Sequence, residues 1–346
     1  MGRYQQLLLI THLALRHSPV IDHAAALAKA SAARLHIAAL IPALNLLSLL
    51  EEGDREKTRE RYLQDHRDWL GEQAKKLHAR GVDVTTELAW ADDMEKDILD
   101  HFSELQPDLL IKEIQHESVL KRAFFTPLDW HLLRYSPVPV YLVGGVRPAL
   151  PRKVVAAVEA SLAEPGQNEL NDRVIRQACS LAEQCDAELH LLYAYDISQD
   201  YQASDTGLTL SELTRWQRKA LEQSFLKLAS RYNVPPGRRH FVLGHPVAAL
   251  SEFANTHHMD VIVMGRVQDP GGEKLLGSNT QHILYRVPCS GLAVYRNCIG
   301  LTPSRCLNVV AMCAWELNPQ ARAISDSLAV ESRISARALA RRRSIR

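Results

Sequence analysis

The chain has 346 residues, of which 46% are hydrophobic and 23% charged, and its formal net charge is +1. That length accommodates two domains of ordinary size, and the composition is that of a globular protein. No run approaches the ~20 apolar residues of a membrane-spanning helix, and a near-neutral charge offers no chain-wide attraction for nucleic acid, so neither a membrane span nor a nucleic-acid partner is expected.

In chain order, the apolar run at 7–10 predicts a strand buried on both faces of a parallel sheet, because it is continuous rather than alternating. Its brevity also argues against a secretory segment, which makes the cytoplasm the expected compartment. An Ala-rich helix is expected over 21–32 and a strand over 35–41. A long amphipathic helix over 55–79 places Tyr62, Leu63, His66, Trp69, Leu70, Ala74 and Leu77 at spacings of three and four. Strands near 82–88, 109–111 and 138–143, with helices near 95–104 and from Pro127, complete a unit of five strands and four helices.

A second unit runs the same course. Strands are expected at 154–158, 188–194, 240–243, 261–264 and 292–295, and helices at 171–185 and 211–231. In the last of these, Leu213, Trp216, Ala220, Leu221 and Leu228 are expected to face inward. The two units also correspond in wording. AAALAKASAARLHIAAL at 24–40 answers ACSLAEQCDAELHLLYA at 178–194, which pairs Leu27 with Leu181 and His36 with His190. DLLIKE from Asp108 answers DVIVMG from Asp260, and WHLLRYSP from Trp130 answers QHILYRVP from Gln281. Nearly constant offsets over three separate segments identify an internal duplication. Strands alternating with helices predict an α/β fold: two tandem flavodoxin-like domains, each a five-stranded parallel sheet with helices on both faces.

The expected domains are 1–147 and 148–297, joined by GGVRPALPRK at 144–153, with intramolecular pairing of the two copies. Residues 298–346 have no counterpart in the first copy. From Ile299 onward they carry eight Arg and three acidic residues, and a flexible extension is expected there. The six cysteines lack a C-x-x-C spacing and read as free thiols.

The candidate chemical groups mostly have structural readings. His131 and His282 correspond across the duplication but lack partners at ligand spacing, which favours helix packing over metal binding. Adjacent His257 and His258 fall on different faces of a helix and fit a helix end. Asp92 and Asp93 suit a helix N-terminus. Neither a hydrolase elbow, a zincin motif nor a P-loop is present, so no catalytic residue and no metal ligand is assigned. Tyr62, Trp69 and Trp216 leave open an apolar groove for a lipid, with core packing the favoured reading.

The tandem βαβ units, the Gly265 loop, FFTPLDWHLLRYSPVPVYLV at 124–143, LAEPGQNELND at 162–172 and GHPVAALSEFA from Gly244 together resemble the tandem kind of universal stress protein. The resemblance covers about residues 4–295 and implies a stress-response role, frequent homodimerisation and, in some members, ATP binding. ATP-binding members of that family carry an Asp at the end of the first strand and a G-x-x-G-(nine residues)-G-(Ser/Thr) loop after the fourth. Such glycines let the backbone approach phosphate, and exposed N–H groups supply donors. Repeat two retains Gly265 but has Gln268 at the second glycine, Ser278 at the third and Glu159 at the Asp position. A modified cradle from Glu159, Gly244, Gly265, Gly277, Ser278, Asn279 and Thr280 is the candidate nucleotide site. Repeat one has no glycine in EIQHESVLKRAFF, and Thr11 is read at its Asp position. Its Thr126, Pro127 and Asp129 read as a helix cap. The expectation is a non-enzymatic regulatory or ligand-sensing protein with degraded nucleotide motifs and no certain cofactor; an ATP-binding switch or weak ATPase centred on repeat two is the alternative.

Overall fold

The computed structural model describes residues 3–11, 19–42, 51–91, 94–114, 129, 132–133, 136–144, 148–160, 167–196, 210–266, 287 and 289–295. The tail at 298–346, Asp92, Asp93, His131, His282 and the 277–280 segment lie outside them.

In repeat one, β1 (Gln6–Thr11), α1 (Val20–Ser31), β2 (Arg34–Pro42), α2 (Glu52–Ala79), β3 (Val84–Ala91), α3 (Met94–Leu105), β4 (Leu109–Glu113) and β5 (Val140–Val143) follow one another. Repeat two provides β6 (Lys153–Ala157), α4 (Gln167–Cys185), β7 (Glu188–Tyr195), α5 (Leu210–Arg231), β8 (Arg239–Leu243), α6 (Pro246–Thr256), β9 (Val261–Arg266) and β10 (Ser290–Tyr295). The described strands form one ten-stranded sheet in the order β3-β2-β1-β4-β5-β10-β9-β6-β7-β8. Pairing is parallel within each half, as the continuous apolar runs require. The halves meet antiparallel, Gly291 opposite Leu142, Leu292 opposite Tyr141 and Ala293 opposite Val140.

Thus the two expected sheets are one. The chain passes close where this seam closes: a Cβ on Gly144 would stand 3.1 Å from the Cys289 carbonyl oxygen, and the Gly144 N–H donates to Ser290 Oγ at 3.3 Å.

The duplication repeats at the level of single hydrogen bonds. Asp108 Oδ2 accepts from the N–H groups of Gln5 and Gln6 at 2.7 and 3.0 Å. Asp260 Oδ2 accepts from those of Arg152 and Lys153 at 2.8 and 3.0 Å. Each aspartate thereby ties the start of the fourth strand of its repeat to the start of the first.

Alternation divides the buried side chains between two faces. Leu7, Leu9, Leu35, Ile37, Val154, Ala156, Leu191 and Tyr193 share one core with α1, α2, α4 and α5. Leu8, Ile10, Leu40, Val155 and Leu192 are buried on the other face, the side of α3 and α6, which bury Ile98 and Phe102, and Leu250 and Phe253. This is the doubly wound arrangement that the strand–helix alternation predicts.

The inward face of α5 differs from the expected one. Trp216 is 78% exposed and Ala220 is exposed, although both were expected to point inward. The burying face of α5 is set by Phe225, Leu228 and Ala229, and Trp216 precedes Phe225 by nine residues, about half a turn around the helix axis. Tyr62 and Trp69 do lie against the core, partly buried. The groove reading therefore loses one of its three aromatic rings. Among the described residues, no helix is long and apolar enough to cross a membrane.

Candidate functional site

In a doubly wound sheet the ligand crevice lies beyond the carboxyl ends of the strands. In repeat two, that rim carries three of the seven candidate nucleotide residues: Glu159, Gly244 and Gly265. The other four, Gly277 to Thr280, lie outside the described residues.

Local structure accounts for each of the three. The half-buried Glu159 is held through its backbone: its N–H donates to Asn171 Oδ1 at 3.0 Å, and its carbonyl accepts from Asn171 Nδ2 at 2.5 Å. Asn171 is buried, so the turn from β6 toward α4 is fixed by a side chain two-sided in its hydrogen bonding. Gly244 adopts φ +146, a left-handed-side value that disfavours any residue with a Cβ; it turns the chain from β8 into α6, where Pro246 starts the helix. Gly265 lies within β9 opposite Val294. A Cβ there would come within 2.7 Å of Leu170 Cδ2 and 2.8 Å of its Cγ. Leu170 is 4% exposed and belongs to α4. Any larger residue at 265 would therefore require this buried leucine to shift.

Repeat one is filled differently. Lys112, the residue matching Met264 beside Gly265, is buried at the end of β4 and forms an ion pair with the buried Asp129 carboxylate. Asp129, expected to close a helix cap, is here the partner of a buried lysine near the end of the strand. Thr126 and Pro127 lie outside the described residues. The strand register also corrects one correspondence. Leu7 pairs with Leu35 and Leu109 as Val154 pairs with Leu189 and Val261, so Thr11 matches Val158, and the match for Glu159 is one step further, at His12, outside the described residues.

The corresponding histidines His36 and His190 are both buried and both belong to side-chain clusters that spacing could not show. His190 Nδ1 lies 3.1 Å from His240 Nε2, and their rings stack at 5.3 Å. Burial, then the neighbouring His190 and His257, presses the His240 imidazole down to about 4. Burial and His101 likewise lower His36. His257 and His258 sit at the C-terminal end of α6, His257 as the cap residue and His258 at φ +52, as their adjacency suggested. Cys179, Cys185 and Cys289 are free thiols, and burial pushes Cys185 up to about 12, far from a reactive thiolate.

The comparisons with known proteins follow this architecture. The universal stress protein family matches twice, over residues 7–144 and 152–294. Universal stress protein E of Escherichia coli K12 is 26% identical over 260 residues, covering 72% of this chain and 80% of that protein. The Haemophilus influenzae homologue is 24% identical over 263 residues, covering 75% and 82%. Among solved structures, a functionally unknown protein from Pseudomonas aeruginosa matches with a TM-score of 0.65 and 22% identity over 89% of this chain and 98% of its own. A universal stress protein from Archaeoglobus fulgidus matches at 0.59 with 17% identity over 84% and 98%. With both halves matched by the family and joined in a single sheet, this chain belongs to the universal stress protein family, in a tandem form similar to universal stress protein E.

Proposed function

We propose that this protein is a non-enzymatic regulatory or ligand-sensing stress-response protein of the cytoplasm, in which neither repeat retains a working ATP cradle. The observation that carries this reading is Leu170 lying against Gly265: the one motif glycine kept at the first position of the loop has a packing role within the protein. The buried Lys112–Asp129 pair supports the same reading for repeat one, because the lysine's charge is taken up by Asp129 and is not left for a phosphate.

The competing reading is an ATP-binding switch or weak ATPase in repeat two, favoured by the GSNT string at 277–280 and by Glu159. The two separate cleanly in one experiment. Purified full-length protein is denatured and its supernatant assayed for nucleotide, and native protein is heated with and without millimolar ATP and magnesium. The proposed function predicts no nucleotide and no thermal shift. A ligand at 100 times its Kd stabilises by about 2.7 kcal/mol, so a shift of several degrees would contradict it.

A further inference from the structure

His36 on β2, Glu87 on β3 and His101 on α3 bring three metal-ligating side chains together on one face of the sheet, with their ligand atoms all within 4.8 Å of one another. His36 Nε2 is 3.6 Å and His101 Nε2 3.2 Å from Glu87 Oε2. Four-coordinate zinc with bonds of ~2.0–2.2 Å sets its ligand atoms roughly 3.3 Å apart, so these separations already match a shared cation. Both histidines are buried, at 8% and 7% exposure, and the Nε2 of each is buried without a hydrogen-bond partner.

The second nitrogen of each ring is engaged. His101 Nδ1 lies 2.6 Å from the Asp97 carbonyl; a carbonyl only accepts, so in the neutral ring Nδ1 carries the proton and Nε2 presents a lone pair. His36 Nδ1 is 2.8 Å from Thr85 Oγ1, which can accept in the same sense. Ligating histidines typically donate their other N–H to a carbonyl or similar acceptor in this way. In the neutral rings, two buried Nε2 lone pairs and a carboxylate thus converge on one place. Glu87 is about half exposed, which gives a cation a route in from solvent and leaves room for water as a further ligand.

Repeat two contains the corresponding place without the ligand set. Glu87 pairs with Ala38 and His240 pairs with Leu192, so the duplication places His240 where repeat one has Glu87. α3 starts at Met94 and α6 at Pro246, which puts Phe253 where repeat one has His101. There the histidine Nδ1 faces another imidazole.

We propose that His36, Glu87 and His101 form a binding site for one divalent transition-metal ion of the zinc type in repeat one, tying α3 to strands β2 and β3. The test uses full-length protein freed of metal with a chelator and titrated with Co²⁺, followed by displacement with Zn²⁺. The expected result is one equivalent of bound cobalt with ligand-field bands in the visible, lost on adding zinc. His101→Phe, which copies repeat two, abolishes those bands. Glu87→Gln, at the exposed rim where folding is not at risk, weakens cobalt binding at least tenfold, and zinc raises the melting temperature of the wild type more than that of this variant. Absence of visible bands in the wild type, or bands unchanged by both substitutions, as thiol or adventitious histidine binding would give, overturns the proposal.

Discussion

Packing against single side chains accounts for several residues at the rim of the sheet. Gly265 is the sharpest case, because a Cβ there would meet the Leu170 side chain within 3 Å. Gly265→Ala is expected to destabilise the protein by ~1–3 kcal/mol through overpacking, and the cost should nearly vanish in a Leu170→Ala background, read as a coupling energy in urea unfolding. Equal costs in both backgrounds would detach the glycine from the leucine. Lys112 and Asp129 make a parallel case. Asp129→Asn strands a buried ammonium and should cost ~3–5 kcal/mol, whereas the pair Lys112→Met with Asp129→Leu should stay near wild type; a loss from the double variant as large as from Asp129→Asn would argue against this. His240 sets a pH dependence. Its folded value near 4 is below the ordinary imidazole value of about 6.5, so the unfolded chain binds the extra proton between those limits. Stability contributed by neutral His240 is therefore full above about 6.5 and lost as pH falls toward 4. Urea midpoints from pH 7 to 4 should fall less steeply for His240→Phe than for the wild type.

At the scale of elements, much was legible in the chain and some was not, for physical reasons. The strands were readable because both faces are buried: an unbroken run such as Leu7–Ile10 has no other economical environment in a βαβ pattern. The face of α5 was not, because Trp216 and Phe225 are both large and apolar and only tertiary contact decides which one is buried. The metal-ligand cluster was also invisible, since its members come from β2, β3 and α3 and only His36 had a signal, its match to His190. The seam between β5 and β10 was equally hidden, as hydrophobic periodicity carries no information on which edges pair. Leu142→Pro tests that seam. Proline removes a ladder N–H from a strand with neighbours on both sides, and urea unfolding is expected to change from one transition into two separated ones as the halves decouple. A single transition at the wild-type midpoint would show that the halves do not depend on strand pairing.

For the whole molecule, the duplication has produced one sheet with two unequal ends. Each copy repeats the same strand order and the same aspartate tie, through Asp108 and Asp260, yet the crevices have diverged: a buried ion pair at one, a leucine on a glycine at the other. Joining the fifth strand of each repeat covers the two edges that separate sheets would expose. On the proposed function, this paired scaffold does not bind adenine nucleotide. Isothermal titration of the full-length protein with ATP and with AMP tests it most directly. No binding heat at micromolar concentrations is predicted for either; micromolar affinity for ATP that is abolished by Gly277→Val would contradict it.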